Sequence, residues 1–455
     1  MPARATSPQT HCLSPARARV AADASIGPSG YGRMFPDLPV LEADEGALRA
    51  IGRSGGPCDG GDLADPPESL GEVAAGWPIF GQFVAHDITA DRSALQSHVE
   101  PGRLRNARTP LLNLECLYGD GPVGHPFLYQ RQDAAKFLLG PQGADVPRNA
   151  EGIAIVGDPR NDSHLLVSQM HLALLKAHNA FVDDARRRGV PESNVFEAAA
   201  RETRWHYQWG VLQEFLPSLV GQALLDEVTR DGPRWFRPTG SGFIPLEFAD
   251  AAYRYGHCQI RQQYRLNRET EPVALFPALL GFRPVPAGRA VDWTLLFDAP
   301  GGPPAQRAKK IDGRLVRALI HLPAAMTGEG VIEEYHSLAV RDLQRGQGVG
   351  LPSGETVARH LGVIPLTAAE VGLQGVGWTG ETPLWYYILR EAAVKASGNR
   401  LGPVGGRIVA DVLVGLLDRD PASVRSAGPA WRPRASVIDL LRQSGGALGR
   451  QQRTR

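Results

Sequence analysis

The chain has 455 residues, 43% of them hydrophobic, which is enough to bury a large core. Its 49 Lys and Arg nearly balance 48 Asp and Glu, so there is neither a basic excess to attract phosphate backbones nor an acidic tail, and a nucleic-acid partner is not expected. The four cysteines, Cys12, Cys58, Cys116 and Cys258, form no CxxC pair, which argues against a zinc-type pattern or a disulfide scaffold and for free, mostly buried thiols.

In chain order, residues 1–30 are rich in Pro, Ala, Ser and Arg and are expected to be a disordered tail. They hold no apolar run of the signal-peptide kind, and no stretch long enough to span a bilayer occurs anywhere. A cytoplasmic location is therefore the expectation, with non-classical secretion left open. Gly55–Pro67, Gly140–Gly152 and Ala299–Gln306 read as loops. Leu165, Leu166, Met170, Leu174, Phe181 and Val182 recur mostly at helical steps and form one apolar stripe. Val195–Phe215, Pro245–Gln262, Val331–Arg345, Thr382–Ala396 and Arg407–Leu417 read as further helices. Strand signals are sparse, with Gly152–Val156 a short candidate, and no strand–helix alternation suggests a doubly wound sheet. Gly346–Gly350 lacks the preceding strand that a dinucleotide site needs, and Gly402–Gly406 reads as a simple helix start. The expected fold is mainly α: one large helical domain over 31–443 with very little β-structure, then a flexible tail over 444–455.

Four segments have the residue types for chemistry. In Gly81-Gln82-Phe83-Val84-Ala85-His86-Asp87, Gln82 and His86 lie four apart and share one helix face within an apolar sequence. A buried His with a polar neighbour one turn away can serve as a general base; taken alone, a core His bonded to a backbone carbonyl explains it better. In Arg254-Tyr255-Gly256-His257, the small Gly256 beside a His would let a flat cofactor approach the backbone. Gly157-Asp158-Pro159-Arg160 is a turn that delivers an Arg just before a long helix, where most arginines are solvated or form a cap. Met170-His171 and His178-Asn179, on that helix, read as packing and hydrogen-bonding residues rather than ligands.

Together and in order, these segments become specific. GWPIFGQFVAHDIT, RTPLLNLECLYGDGP, GDPRNDSHLLVSQMHLALLKAHN, AAYRYGHCQIRQQYRLN and HSLAVRDLQRGQGVGLPSG resemble the animal haem peroxidase family, also called the peroxidase–cyclooxygenase superfamily. The segments TPLWYYILREA and LGPVGGRIVADVLVGLL look like its bacterial branch. The resemblance runs from about Gly32 to about Pro433. It implies a helical enzyme that reduces hydrogen peroxide through a ferryl intermediate and oxidises a small donor, aromatic or halide or pseudohalide. It implies that His86 is the distal histidine, Gln82 its neighbouring glutamine and Arg160 the distal arginine. It further implies that His257 is the proximal ligand of the haem iron, Arg254 a propionate contact and Asp342 the partner of His257, where the family usually has Asn.

The sequence also departs from the family pattern. The positions whose carboxylates esterify the haem in mammalian members hold Ala85 and Ser163, so non-covalent haem b is expected. Asp87, Thr109, the Leu111 carbonyl, Asn113 and Glu115 match the family's calcium ligands, and oxygen donors of this kind suit calcium, so bound Ca2+ is expected. The superfamily's fatty-acid dioxygenases and cyclooxygenases carry a radical-forming Tyr three residues before the proximal His, where this chain has Arg254. That favours a peroxidase over a lipid oxygenase. A non-catalytic haem-binding protein is the other alternative, and it would not require Gln82, His86 and Arg160 together. The reducing substrate and the oligomeric state are not legible in the sequence.

Overall fold

The computed structural model describes residues 30–61, 65–90, 106–238, 242–328 and 331–442. Apart from Gly30, the tails expected at 1–30 and 444–455 lie outside the described residues, as does Cys12. Eight helices carry the architecture: α1 (Glu45–Gly52), α2 (Gly76–Ile88), α3 (Leu165–Arg187), α4 (Glu192–Gly210), α5 (Gln222–Asp231), α6 (Leu338–Gly348), α7 (Leu384–Ala396) and α8 (Pro403–Arg419). Shorter turns of helix connect them. Among the described residues, strand is confined to three two-stranded ribbons: Tyr31–Gly32 parallel to Ile244–Pro245, Leu70–Ala74 antiparallel to Arg307–Lys309, and Gln263–Tyr264 antiparallel to Val273–Ala274. The mainly α expectation holds, and the chain forms a single mainly helical domain. Gly152–Val156 contributes only an isolated bridge, between Ala154 and Arg148.

Helix α3 is buried on most of its circumference, from Leu165 to Ala185, because apolar residues extend well beyond a single stripe. It packs along α4 and against α2, so it forms the floor under α2. Helix α4 continues through a π-turn at Val211–Phe215 into Leu216–Val220, placing Phe215 against Trp77 and Phe80 of α2. Helix α8 starts at Pro403, whose missing N–H costs nothing at a first turn. Its orphan N–H groups at Val404 and Gly405 are taken by the Glu391 carboxylate of α7. Burial pushes that carboxyl up to about 7. A Cβ at Gly405 would lie 2.6 Å from Ile388, so glycine sets how closely α7 and α8 approach.

Two expected helices are interrupted. Pro245–Gln262 divides into Leu246–Ala249, a 3-10 turn at Ala252–Tyr255, and Gly256–Gln259. Ala251 leaves helical geometry, and Arg254 Nε takes the Ala249 carbonyl at 3.1 Å. Side-chain bonding here replaces the helix ladder. Val331–Arg345 divides at Ser337, whose Oγ caps α6 through Val340 N and donates to the Gly52 carbonyl. The helical stripe through Thr382–Ala396 and the helix over Arg407–Leu417 appear where the pattern places them.

Candidate functional site

Helix α2, the turn at Pro159–Asp162 and the segment 246–260 enclose a cleft partly open to solvent. Its walls include the predicted residues Gln82, His86, Arg160, Arg254 and His257, together with Ala85 and Ser163. Phe248, Leu275, Phe276, Leu319 and Leu322 make much of the remaining lining apolar. A wide apolar cleft with a few convergent polar groups is the form of a cofactor or ligand site.

On one wall, His86 projects from α2 and is buried. Its Nδ1 lies 2.8 Å from Asn161 Oδ1, and Asn161 Nδ2 lies 3.0 Å from His171 Nδ1. Burial, reinforced by the Arg160 cation, lowers the His86 pKa to about 3, so the ring is neutral at physiological pH. Arg160 binds Asp158 through Nε and Nη2 at 3.0 and 2.8 Å, and Nη2 also donates to the carbonyls of His86 and Thr89. Asp158 pairs in turn with Arg108 at 2.6 Å. Burial works to raise the Asp158 carboxyl, but Arg160 and Arg108 outweigh it and hold the group below its usual range. The Asp-Pro-Arg sequence favours this turn: Asp158 caps it by accepting from Arg160 N, and Pro159 presets its first residue.

Elsewhere in the lining, His257 Nδ1 donates to Asp342 Oδ2 at 2.5 Å. A ligand bond from this ring would therefore come from Nε2. Asp342 is fully buried on α6, and its other oxygen accepts from Arg254 Nη1 at 2.9 Å. Arg254 Nη2 binds Asp250 at 3.0 Å, and Asp250 also takes Arg345 at 2.9 Å. Arg254 thus lines the cleft, but its guanidinium is turned to the proximal carboxylates. The propionate contact implied for it has to compete with these bonds. A Cβ built on Gly256 meets nothing within 4 Å, so the backbone beside His257 is open to a flat group. The histidine, its carboxylate partner, the open backbone and the apolar walls fit a haem.

The calcium expectation finds no direct support. Asp87 Oδ2 accepts from Leu114 N at 3.0 Å, and Glu115 accepts from Thr109 N at 3.0 Å and from Arg108 at 3.2 Å. Asn113 Oδ1 accepts from Glu115 N at 3.0 Å, and Leu111 N bonds the Thr109 carbonyl. The Asp87, Asn113 and Glu115 side chains are used within the loop, and the Arg108 guanidinium supplies positive charge beside Glu115. Among the described residues, no group of three or more His, Cys, Asp or Glu side chains is placed to hold a metal ion. Asp87, Asn113 and Glu115 organise the loop beside α2 through these bonds.

The sequence reading left Asn161 and Arg108 unassigned. The signal for Asn161 was its position next to Arg160 at the entry to α3. Arg108, which precedes the 109–115 loop, carried none, because its partners Asp158 and Gly157 lie about fifty positions away. His171 and His178 bond as expected of packing residues, His178 to Tyr118 and to the Ala135 carbonyl. Cys58, Cys116 and Cys258 are free and buried.

No curated protein matches the sequence. Among solved structures, peroxidase A from Dictyostelium discoideum is similar with a TM-score of 0.63 at 15% identity, covering 90% of this chain and 88% of that one. Fatty acid alpha-dioxygenase from Oryza sativa is similar with a TM-score of 0.59 at 14% identity, covering 84% and 73%. The Arabidopsis thaliana fatty acid alpha-dioxygenase has a TM-score of 0.59 at 13% identity, covering 90% and 78%. At these identities the likeness speaks for the fold alone. The family model for animal haem peroxidases matches residues 96–370, a stretch that holds Arg160, Arg254, His257 and Asp342. Gln82 and His86 precede it and are joined to it by the His86–Asn161 and Arg160–His86 bonds. With more than half of its length matched, and without distinction of branch, the chain belongs to the animal haem peroxidase family.

Proposed function

We propose that the chain is a haem peroxidase that reduces hydrogen peroxide and oxidises a small donor. The observation that carries the reading is the pair His86 and His257, set in the walls of one cleft with Arg160 beside the first. His257 would hold haem b at the iron, with Asp342 fixing its ring. Bound haem would supply an iron site at which peroxide exchanges electrons.

The chain's own residues divide the remaining work. Neutral His86 can accept a proton from the nearer peroxide oxygen and return it to the departing one. Arg160 is a fixed cation in a largely apolar cleft, where it stabilises negative charge developing as the O–O bond breaks. Its Nη1 has no protein acceptor among the described residues, so that nitrogen is available to the reactant. Gln82, one turn before His86, can order a water or an anion at the same wall. Asp342 increases the electron-donating character of His257.

The test is an absorption spectrum of haem-reconstituted protein before and after peroxide, with His257→Ala and His86→Ala alongside. A Soret band that changes with peroxide and recovers with an aromatic donor supports the reading. Loss of haem in His257→Ala and slow reaction in His86→Ala assign the two walls. If haem binds but peroxide leaves the spectrum unchanged, oxygen uptake with unsaturated fatty acids becomes the measurement, because the apolar cleft also suits an acyl chain.

A further inference from the structure

We infer that Asn161 and His171 are positioning residues that fix the tautomer of His86. The inference rests on the peroxidase reading of the cleft and extends it to two residues behind His86.

A histidine acts as a base only through a nitrogen with an exposed lone pair, and the bond made by its other nitrogen decides which one that is. His86 Nδ1 faces Asn161 Oδ1 at 2.8 Å. An amide oxygen only accepts, so His86 carries its proton on Nδ1 and keeps the lone pair on Nε2. The amide itself has two possible orientations, and the reversed one would put an N–H donor against Nδ1. That would move the ring proton to Nε2 and remove the base. His171 selects between them: its Nδ1 lies 3.0 Å from Asn161 Nδ2 and, in the tautomer protonated on Nε2, accepts from it. His171 is 1% exposed and Asn161 is also 1% exposed, so water does not compete for either bond. The backbone holds the amide in place as well, because Asn161 N donates to the Asp158 carbonyl at 3.0 Å within the turn that carries Arg160. His171 stands two helical turns into α3, a rigid element packed against α2, so its position is set by the core. The order of control runs from the core to His171, to the Asn161 amide, to the His86 proton. Nothing in this chain moves a proton along the series, because the amide cannot relay one; its role is orientation.

The test separates tautomer from turnover. In the full chain labelled with 15N-histidine, haem-free and as the diamagnetic ferrous carbon-monoxide complex, ring-nitrogen shifts report where the His86 proton sits. Wild type is expected to show Nδ1–H. In His171→Phe, the amide keeps only the weak sulfur acceptor of Cys116, and His86 is expected to become a mixture of tautomers. His171→Gln, which restores an acceptor oxygen, is expected to restore Nδ1–H. Asn161→Asp, which can only accept, keeps Nδ1–H on His86. Asn161→Leu is expected to lower the second-order rate with peroxide by about 10- to 100-fold, the range for removing the partner that orients a histidine, with KM for the donor unchanged. A wild-type His86 protonated on Nε2, or a His171→Phe spectrum identical to wild type, overturns the inference whatever the protein catalyses. An undiminished peroxide rate in His86→Ala overturns the peroxidase reading instead, and leaves the tautomer assignment standing as a statement about the ring alone.

Discussion

Asp342 accepts the Nδ1 proton of His257 across 2.5 Å, although the two residues are 85 positions apart in the chain. The bond joins α6 to the interrupted segment 246–260, and the interruption makes it possible. A continuous helix through that segment would satisfy the Ala249 carbonyl internally, yet here Arg254 reaches it and then turns to Asp342.

The first prediction follows from that bond. A carboxylate on Nδ1 gives His257 imidazolate character and stabilises the oxidised iron. Asp342→Asn is expected to raise the ferric/ferrous potential of the haem-loaded protein and to weaken haem retention by about 10- to 100-fold. Redox titration and haem transfer to apomyoglobin measure the two effects. An unchanged potential in a folded, haem-loaded variant would sink the claim.

Asp158 supports the wall that carries His86 by pairing with both Arg108 and Arg160. It is 2% exposed, so removing its charge leaves the buried Arg160 guanidinium without its carboxylate and Arg108 with Glu115 alone. Breaking a buried pair on one side costs about 3–5 kcal/mol. Asp158→Asn should therefore lower the urea midpoint strongly and displace Arg160. Arg160→Gln leaves Asp158 paired with Arg108, so it should cost less stability than Asp158→Asn, and it should slow the peroxide step by about 10²- to 10³-fold, the cost of losing one preorganised donor. Stopped-flow spectra with peroxide decide that part. Equal peroxide rates in wild type and Arg160→Gln would remove Arg160 from the chemistry.

The elements that local pattern dictates were legible in the sequence, and the ones that side-chain networks dictate were not. Helix α3 announces itself through its apolar residues, and α8 through Pro403 after Gly402, because both signals act within a few positions. The split of 245–262 was hidden, since it depends on Asp250 meeting Arg345 from α6. In the cleft, Gln82, His86, Arg160 and His257 were reached through motif resemblance, and they converge on one cavity. For Arg254 and the calcium-matching residues, the local partners were not legible: Asp342 and Asp250 bond Arg254, and Arg108 bonds Glu115.

The Arg108–Glu115 bond gives a prediction about calcium. If Arg108 supplies the positive charge beside α2, chelation has nothing to remove. The melting temperature of the holoprotein is expected to be the same in EGTA and in millimolar Ca2+, and calorimetry with Ca2+ is expected to show no heat of binding. Arg108→Met, in contrast, should destabilise the fold by about 3–5 kcal/mol by leaving Asp158 and Glu115 short of charge. A melting temperature several degrees lower in EGTA would restore the calcium reading.

Haem attachment is predicted from the same wall of the cleft. Ala85 and Ser163 line it, and neither can form an ester. Asp162, the nearest carboxylate to Ser163 in sequence, is engaged by both terminal nitrogens of Arg148 at 2.7 Å. The haem should leave completely on extraction into acidified butanone, and the protein mass should be that of the polypeptide. Retention of the haem mass on the chain would contradict non-covalent binding.

Acid sensitivity follows from the buried histidines. Burial lowers His164, His171 and His178 from 6.5 to about 4, and burial with Arg160 lowers His86 to about 3. On unfolding, each returns to its ordinary value. Between about pH 4 and 6.5 the unfolded chain therefore binds protons that the folded chain refuses, so stability rises with pH across this window. The contribution is fully present above pH 6.5 and is lost as pH falls through the folded values. A depression of about 2.5 units corresponds to at most about 3 kcal/mol for each of His164, His171 and His178, and the larger depression of His86 to at most about 5 kcal/mol. Carboxylates partly counter the trend: burial raises Asp87 to about 6 and Glu391 to about 7, and each favours the folded state on acidification. Asp162, Glu214, Glu355 and Asp411 are raised too, but His206 joins the lowered histidines and arginine partners hold Asp133, Asp158 and Asp184 low, so the melting temperature should fall from pH 7 to pH 4. His178→Gln isolates one contribution, since it sits away from the cleft and its partners are Tyr118 and the Ala135 carbonyl. That variant should show a shallower decline than wild type when melting is followed by circular dichroism. Parallel pH profiles for the two proteins would show that His178 is not kept neutral by the fold.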